Sequence, residues 1–144
     1  TLRVTYGNVS GVELRDGVYY KPFTTLEGIA EKHSGEEPFN VGDKLLNKIF
    51  EKDYGTYYFE PIDSVPVNFI STLDITNGNS GSATINSDFD LVGLAFDGML
   101  ETIIADYKYI SQARSISVDS RYLLWTLEKV EGADNILKEL TIVN

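Results

Sequence analysis

The run Thr76-Asn77-Gly78-Asn79-Ser80-Gly81-Ser82 lies between short apolar segments that have the composition of strands. The extended segment 65–71 precedes it, and segments 83–86 and 91–96 follow it. Several short apolar segments joined by turns rich in Gly, Asn and Ser are typical of an antiparallel β-domain. The run is therefore predicted to be a loop between two strands.

The residue types of this loop indicate chemistry as well as structure. Gly78 and Gly81 can adopt backbone angles that other residues avoid, so two main-chain N–H groups can converge on one point. Ser80 would then present its hydroxyl beside an anion-stabilising pocket, which is the arrangement that acyl transfer needs. The alternative is a hairpin loop without chemistry, because strand-rich proteins use such loops often and short motifs give false matches.

Size and composition narrow the class of protein. The chain has 144 residues, of which 42% are hydrophobic and 24% are charged, as expected for one globular domain. Its formal net charge of −10 argues against nucleic acid or anionic lipid as a partner, since both require a basic surface. The absence of cysteine excludes disulfides, thiolate metal sites and a cysteine nucleophile. No apolar run is long enough to cross a membrane.

The periodicity of apolar residues predicts the elements around the loop. Strands are expected at residues 2–6, 12–14, 18–20, 65–71, 83–86, 91–96 and 115–118. Strands 12–14 and 18–20 are expected to pair as a hairpin across the turn 15–17. Helices are expected from a capping box of Thr24 and Glu27 to about Lys32, from an N-cap at Asp43 onward, from Asp119 or Ser120 to Gly132, and over 133–140. The second helix is expected to bury a face made of Leu45, Leu46, Ile49 and Phe50. The pattern favours a mainly β fold, a small antiparallel barrel with helical inserts and C-terminal helices.

A serine nucleophile needs a general base, and the sequence offers one poor candidate. His33 is the only histidine, and it precedes Ser80 as the base does in chymotrypsin-like chains. The interval between them holds a loop, a helix and an aromatic segment rather than the strands of a half-domain. His33 also lies near a helix end beside Lys32, so we interpret it as a solvated helix-end residue. The catalytic base is expected to be missing from this chain.

The acidic residues near the loop do not replace a base. They are Asp74, Asp88, Asp90, Asp97 and Asp106. Their spacing lacks the regular pattern of a calcium loop, so neither a metal nor another cofactor is expected. The segment 88–90 is interpreted as a solvated turn, and Trp125, on an apolar helix face, as a core or interface residue.

Three blocks of the sequence resemble one known family. They are Ile75-Thr76-Asn77-Gly78-Asn79-Ser80-Gly81-Ser82, Leu91-Val92-Gly93-Leu94-Ala95-Phe96-Asp97-Gly98 and Val118-Asp119-Ser120-Arg121-Tyr122-Leu123-Leu124-Trp125. Together they closely resemble the end of the bacterial dipeptidyl-peptidase 7 and 11 family, and the segments 2–7 and 16–25 resemble it too. Gly-Asn-Ser-Gly-Ser is similar to the nucleophile loop of chymotrypsin-like proteases that have Asn before the serine. Two residues depart from the family pattern, because Ala83 stands where Pro is usual and Asn77 where Gly is usual.

The resemblance implies that residues 1–144 are the nucleophile-bearing, C-terminal chymotrypsin-like barrel of a longer serine peptidase. Family members remove dipeptides from the N-termini of peptides, and their catalytic His and Asp come from an N-terminal part that is absent here. Ser80 would be the catalytic nucleophile, and the backbone N–H groups of Gly78 and Ser80 would form the oxyanion hole. The substrate-binding residues would be Phe96, Asp97 and Gly98, with Asp97 holding the amino terminus of the substrate. The alternative for Asp97 is that it caps the turn with Gly98.

The position of Gly98 bears on specificity. Acidic-specific members of the family carry Arg at the matching position, where a guanidinium can pair with a substrate carboxylate. Gly98 has no side chain, so the pocket is expected to be deeper and uncharged, and to prefer apolar residues before the scissile bond. This resembles dipeptidyl-peptidase 7, and Gly98→Arg is expected to move the preference toward acidic residues.

The resemblance also implies partners and a location. The expected partners are peptide substrates and the missing N-terminal part of the same protein, with self-association into a homo-oligomer as a further alternative. The family is exported in Gram-negative bacteria, which implies a periplasmic or cell-surface location. The chain opens on segment 2–6 without an initiator Met or a leader, so it is interpreted as a mature or excised piece that is inactive alone. The alternative from another class is a peptide-binding or structural module that keeps a protease fold without catalysis.

Overall fold

The computed structural model describes residues 2–104, 107–108 and 110–143. The chain is mainly β, with two antiparallel sheets and short helices. Its contacts divide it into two compact units, each built from two separate stretches of sequence. The first unit comprises Thr1–Phe23 and Asn68–Asp119, and the second comprises Thr24–Val67 and Ser120–Asn144. Within the described ranges, no helix is long and apolar enough to span a bilayer.

A two-stranded hairpin lies near the start of the first unit. β1 (Val12–Arg15) pairs antiparallel with β2 (Val18–Tyr20), as the sequence predicts. Gly17 takes a φ of +77° in the turn between them, a conformation that strains residues with a Cβ. The segment before β1 is held by the guanidinium of Arg114, which donates to the carbonyl oxygens of residues 10 and 11 at 3.3 and 3.2 Å.

The second sheet has five strands in the order β3-β4-β7-β6-β5. The strands are β3 (Phe23–Thr25), β4 (Pro66–Ser71), β5 (Ala83–Ile85), β6 (Leu91–Gly98) and β7 (Ser115–Asp119). β4 pairs antiparallel with β7, β7 with β6, and β6 with β5. β6 is two residues longer than predicted. It contains a bulge at Phe96, since Ala95 lies opposite Ser117 whereas Asp97 lies opposite Ile116.

The central strands approach each other closely because some of their side chains are small. A Cβ added to Gly93 on β6 would lie 2.6 Å from the carbonyl oxygen of Val118 and 2.7 Å from the ring of Phe69. Between β4 and β7, the buried hydroxyl oxygens of Ser71 and Ser115 lie 2.7 Å apart and share a hydrogen bond. Burial of these hydroxyls is therefore compensated within the sheet.

Helices and 3₁₀ turns make up most of the second unit. The helices are α1 (Leu26–Lys32), α2 (Asp43–Glu51), α3 (Ser120–Trp125) and α4 (Asp134–Leu137), with 3₁₀ turns at Gly55–Tyr57 and Glu60–Ile62. α3 continues as the π-helical segment Thr126–Glu131, and Gly132 ends it with a φ of +63°, as predicted. The core of this unit consists of Leu26, Ile49, Tyr57, Val65, Val67, Trp125 and Val130.

Trp125 is fully buried in this core, so its interpretation as a packing residue is confirmed. Its indole N–H donates to the backbone carbonyl of Asp53 at 2.9 Å. The hydrogen bond satisfies the polar end of the ring, which is the usual condition for burying a tryptophan.

The strand predicted at residues 2–6 is wrong. The segment is irregular, and Tyr6 exposes 94% of its surface. Pairing of this part of the chain with the sheet begins only at a single bridge between Val9 and Ser71. Alternating apolar residues give a segment the spacing of a strand, but the strand also needs a partner for its backbone groups. Residues 2–6 have no such partner among the described residues.

Three helix predictions need correction at their ends. The N-cap of α1 is Thr25, whose hydroxyl accepts a backbone N–H at 3.3 Å, while Thr24 lies in β3. α2 includes Asp43 as its first residue, so its N-cap is Gly42. The helix predicted over 133–140 is confined to α4. Cap positions depend on the backbone angles of one residue, which sequence pattern places only approximately.

The predicted buried face of α2 is too wide. Ile49 exposes only 2% of its surface, and Leu46 is also buried, but Phe50 exposes 69%. Leu45 packs against the core from the side. Adjacent residues are about 100° apart around a helix, so the burial of Ile49 does not require the burial of Phe50.

Candidate active site

Residues 76–82, the Ser80 loop, consist of two successive turns. The backbone N–H of Asn79 donates to the carbonyl of Thr76 at 3.2 Å, which closes the first turn. The N–H of Ser82 donates to the carbonyl of Asn79 at 2.9 Å, which closes the second. The third residue of each turn is a glycine with positive φ, +91° at Gly78 and +86° at Gly81. Such turns require glycine or a similarly permissive residue at that position.

The side chain of Asn79 strengthens the first turn. Its Oδ1 accepts the backbone N–H of Thr76 at 2.8 Å, so Asn79 and Thr76 are joined by two hydrogen bonds in opposite directions. Asn77 is exposed and does not have a positive φ, so replacing the usual glycine there needs no strained angle. Ala83, which replaces the usual proline, lies in β5 opposite Leu94.

The Ser80 loop is bonded to β6 at the bulge. The N–H of Gly81 donates to the carbonyl of Ala95 at 2.7 Å, and the N–H of Ala95 donates to the carbonyl of Ser82 at 2.9 Å. The hydroxyl of Ser80 donates to the carbonyl of Phe96 at 3.2 Å. Ser80 is exposed, so its hydroxyl is both oriented by the strand and open to a substrate.

Two backbone donors of the Ser80 loop are unpaired. The N–H groups of Gly78 and Ser80 donate to no acceptor among the described residues, whereas those of Asn79, Gly81 and Ser82 all do. Unpaired backbone N–H groups in a glycine-containing turn are the type of donor that an oxyanion hole uses. The assignment of these two donors to an oxyanion hole stays a prediction.

A cleft of about 520 Å³, the Ser80 cleft, opens at the loop. It is lined by residues 75–80, 95–100, 102 and 103. The structure therefore brings together all of the residues that the sequence proposed for the site, namely Gly78, Ser80, Phe96, Asp97 and Gly98. This volume lies within the range of pockets that bind small ligands.

Asp97 caps the end of β6. Its Oδ1 accepts the backbone N–H of Gly98 at 2.8 Å, and the residue is exposed. This bond is the alternative that the sequence left open beside a role in binding the substrate's amino terminus. The other carboxylate oxygen has no hydrogen-bond partner among the described residues, and the role in binding the amino terminus stays a prediction.

Thr102 is a cleft residue that sequence reasoning missed. A Cβ added to Gly98 would lie 2.3 Å from the hydroxyl oxygen of Thr102, so Thr102 takes part of the space that Gly98 leaves free. Thr102 belongs to the 3₁₀ turn Leu100–Ile104, which follows β6. The sequence contains no motif at Thr102, and only the fold of this turn places it against Gly98.

No histidine is among the described residues that line the Ser80 cleft. His33 belongs to the second unit, where it is the C-cap of α1 and its Nδ1 accepts the backbone N–H of Val41 at 3.0 Å. This local role agrees with its interpretation as a helix-end residue. Among the described residues, no group of three or more His, Cys, Asp and Glu side chains could hold a metal ion.

The other acidic residues near the loop have structural partners or fall outside the description. The turn at 86–90 is closed by Asn86, whose Oδ1 accepts the backbone N–H groups of Asp88 and Asp90 at 2.9 Å each. The interpretation of 88–90 as an exposed turn is confirmed. The structure does not describe Asp106.

Comparison with known proteins identifies the family. Residues 1–142 match the family model described as Peptidase S46. The chain belongs to the peptidase S46 family. This S46 chain is 42% identical to the Asp/Glu-specific dipeptidyl-peptidase of Shewanella putrefaciens over 165 residues, which is 99% of the chain and 22% of that protein. It is also 42% identical to dipeptidyl-peptidase 7 of Phocaeicola vulgatus over 145 residues, 99% of the chain and 20% of that protein.

A solved structure agrees with this assignment. The crystal structure of Porphyromonas endodontalis DPP11 in complex with the dipeptide Arg-Glu superposes with a TM-score of 0.90 and 38% identity. The match covers 94% of the S46 chain and 20% of that structure. The S46 chain thus spans about a fifth of the length of the curated relatives it matches. One of the two names states a preference for Asp and Glu and the other states none, and both relatives are 42% identical to the chain, so identity alone does not assign a preference.

Proposed function

We propose that this S46 chain is the nucleophile-bearing part of a serine exopeptidase that releases dipeptides from the N-termini of peptides. The observation that carries the proposal is the Ser80 loop itself. It presents an exposed hydroxyl in a cleft, and two backbone N–H groups of the same loop have no partner in the described chain. The relatives named dipeptidyl-peptidases support the reaction class.

The proposed chemistry follows from these groups. The Oγ of Ser80 attacks the carbonyl carbon of the second peptide bond, and a histidine outside this chain accepts the hydroxyl proton. The carbonyl oxygen becomes an oxyanion that accepts hydrogen bonds from the N–H groups of Gly78 and Ser80. When the C–N bond breaks, the histidine returns the proton to the leaving amine. Water then attacks the acyl-serine ester, which frees the dipeptide and restores the hydroxyl.

The same proposal assigns a fold and partners. We propose that the chain is the C-terminal barrel of an enzyme with a double chymotrypsin-like barrel. The rest of a longer polypeptide is proposed to supply the catalytic His and Asp. The support is the length of the relatives, which are about five times as long as this chain. The family resemblance further supports a periplasmic or cell-surface location in a Gram-negative bacterium, which cell fractionation would test.

The proposed specificity is for apolar residues before the scissile bond, and the absence of a cation from the cleft supports it. None of the described residues that line the Ser80 cleft is Lys or Arg. A substrate carboxylate in such a cleft would lose hydration without gaining an ionic partner. Asp97 is proposed to attract the substrate's amino terminus with its free oxygen, which also disfavours acidic substrates. Dipeptidyl substrates with Leu or Phe should therefore give a higher kcat/KM than those with Asp or Glu.

The test uses the full-length protein and peptides whose N-termini are free or acetylated. We expect dipeptides to be released from free peptides only, with product identified by mass spectrometry. Ser80→Ala should lower kcat by at least about 10⁴-fold, since the nucleophile is lost. Ser82→Ala is the matched control, because Ser82 holds the loop through its backbone N–H and carbonyl. If Ser80→Ala retains full activity, Ser80 is not the nucleophile and the proposal fails.

A non-catalytic peptide-binding module is the second candidate. The observation that favours it is the lack of a histidine among the described cleft residues. In that case the full-length protein should bind peptides without releasing a dipeptide, and Ser80→Ala should leave binding unchanged. Isothermal titration with the same peptides, run beside the activity assay, distinguishes the two candidates.

A further inference from the structure

Gly98 and Thr102 share one volume in the wall of the Ser80 cleft. Both residues line the cleft, Gly98 at the end of β6 and Thr102 in the 3₁₀ turn that follows it. A Cβ added to Gly98 would lie 2.3 Å from Oγ1 of Thr102 and 3.1 Å from its Cβ, which is closer than non-bonded atoms pack. The side chain of Thr102 therefore occupies the space into which a side chain of residue 98 would project.

The position of Thr102 is set by hydrogen bonds within its own turn. Its backbone N–H donates to the carbonyl of Met99 at 2.8 Å, and its hydroxyl donates to the same oxygen. Met99 is buried, and its N–H donates to the carbonyl of Arg114 at 3.0 Å. Because the hydroxyl hydrogen of Thr102 is already engaged, the side chain offers the cleft a neutral volume rather than a charge or a free donor.

We propose that Thr102 is a specificity-determining residue, which sets the depth of the pocket for the residue before the scissile bond. The inference rests on the proposed function, in which Gly98 belongs to that pocket. Gly98 leaves the pocket without a charge, and Thr102 fills part of the space that the missing side chain frees. Specificity then depends on the pair of residues 98 and 102, and not on residue 98 alone.

Substitutions that remove volume at residue 102 and add volume at residue 98 test whether the two residues act as a pair. Thr102→Ala removes the hydroxyl and a methyl group, so it deepens the pocket. Gly98→Ala adds a Cβ at a place that Thr102 already fills, so it must displace the Thr102 side chain. The double variant Gly98→Ala/Thr102→Ala places one methyl group where the clash would have been. The double variant should recover most of the kcat/KM that Gly98→Ala loses.

The experiment measures kcat/KM of the full-length protein for matched dipeptidyl substrates with Ala, Val, Leu or Phe before the scissile bond. We expect Thr102→Ala to raise the Phe-to-Ala ratio of kcat/KM on the order of 10-fold, the usual effect of one or two groups in an apolar pocket. Thr102→Val, which keeps the volume, should leave the ratio within about 2-fold of the unmodified protein. Thr102→Ser keeps the hydroxyl of the turn and loses only the methyl group, so it should shift the ratio in the same direction by less.

The outcomes separate this inference from the function on which it rests. If the unmodified protein releases dipeptides and both Thr102→Ala and Thr102→Ser leave the Phe-to-Ala ratio unchanged, Thr102 does not set the pocket, while the proposed function stands. A uniform loss of kcat/KM for every substrate would likewise assign Thr102 a structural role only. If the unmodified protein releases no dipeptide, the proposed function fails and the inference fails with it.

Discussion

At the scale of single residues, the Ser80 loop depends on a few side chains whose roles are local. Gly78 and Gly81 supply the positive φ angles of two successive turns, and Asn79 supplies an oxygen to the N–H of Thr76. None of these bonds within the loop spans more than three residues. A loop of this kind forms from its own sequence, and its bonds to β6 then orient Ser80.

The role of Gly81 can be separated from that of an ordinary turn glycine. Gly81 and Gly17 have similar φ angles, +86° and +77°, and an added Cβ would meet no atom within 4 Å at either place. Substitution by Ala should therefore cost each turn about 1–2 kcal/mol of backbone strain. We expect only Gly81→Ala to lower kcat/KM, because Gly81 adjoins Ser80 and bonds to β6. The check is the unfolding curve of each variant and its kcat/KM in the full-length protein. Equal losses of kcat/KM in the two variants would contradict this role of Gly81.

At the scale of elements, helix α2 shows that two adjacent apolar residues can differ strongly in burial. Ile49 is buried in the core of the second unit, and its neighbour Phe50 is largely exposed. Ile49→Ala should destabilise the 144-residue chain by about 2–5 kcal/mol, since it leaves a cavity. Phe50→Ala should change stability by no more than about 0.5 kcal/mol. Denaturant unfolding at a concentration where the chain is monomeric measures both, and a large effect of Phe50→Ala would show that this residue is buried.

The carboxylate of Glu27 links helix α1 to residues 54 and 64. Glu27 accepts hydrogen bonds from the hydroxyls of Tyr54 and Ser64, the latter at 2.5 Å. Burial by itself would raise the pKa of Glu27, but the hydrogen bonds from Ser64 and Tyr54 outweigh it, and the pKa lies below the ordinary value of 4.5. Burial raises the pKa of Tyr54 most, and the hydrogen bond to Glu27 raises it further. Sequence pattern placed Glu27 in a capping box instead.

The lowered pKa of Glu27 makes the stability of this unit depend on pH. Its contribution is present above the unfolded value near 4.5 and is lost as the pH falls through the lower folded value. Glu27→Gln should cost about 1.5–3 kcal/mol at pH 7, and the difference from the unmodified chain should shrink below pH 4. Glu31→Gln, at an exposed position of the same helix, is the control. A cost of Glu27→Gln that stays constant from pH 7 to pH 3 would contradict this account.

At the scale of the whole molecule, large apolar side chains are exposed in the first unit. On the hairpin of β5 and β6, Ile85, Phe89 and Leu91 are exposed, and Phe89 is 82% exposed with a φ of +68°. Soluble monomers seldom expose large apolar patches, so we expect the 144-residue chain to self-associate or to bind the rest of a full-length protein. Sedimentation equilibrium measures this, with Phe89→Ser/Leu91→Ser expected to weaken association. A chain that remains monomeric at high concentration would contradict the expectation.

Activity is also a property of a larger assembly in our proposal. The 144-residue chain alone should release no measurable dipeptide, because no described residue of the Ser80 cleft can act as the histidine base. The check is an assay of the purified chain beside the full-length protein at equal concentration. Release of dipeptide by the chain alone, abolished by Ser80→Ala, would overturn this prediction. Loss of that activity in His33→Ala would then identify His33 as the base.

Local sequence was sufficient for the Ser80 loop, the β1–β2 hairpin and most strands and helices, because turns, caps and periodicity depend on residues a few positions apart. The resemblance to a known family, and not local pattern, grouped Phe96 and Gly98 with Ser80, and the fold places all three on one cleft. Pairing and burial depend on residues far apart in the chain, so local pattern predicted a strand at 2–6 that has no partner in the described structure. For the same reason the exposure of Phe50 and the contact of Thr102 with Gly98 followed only from the packed fold.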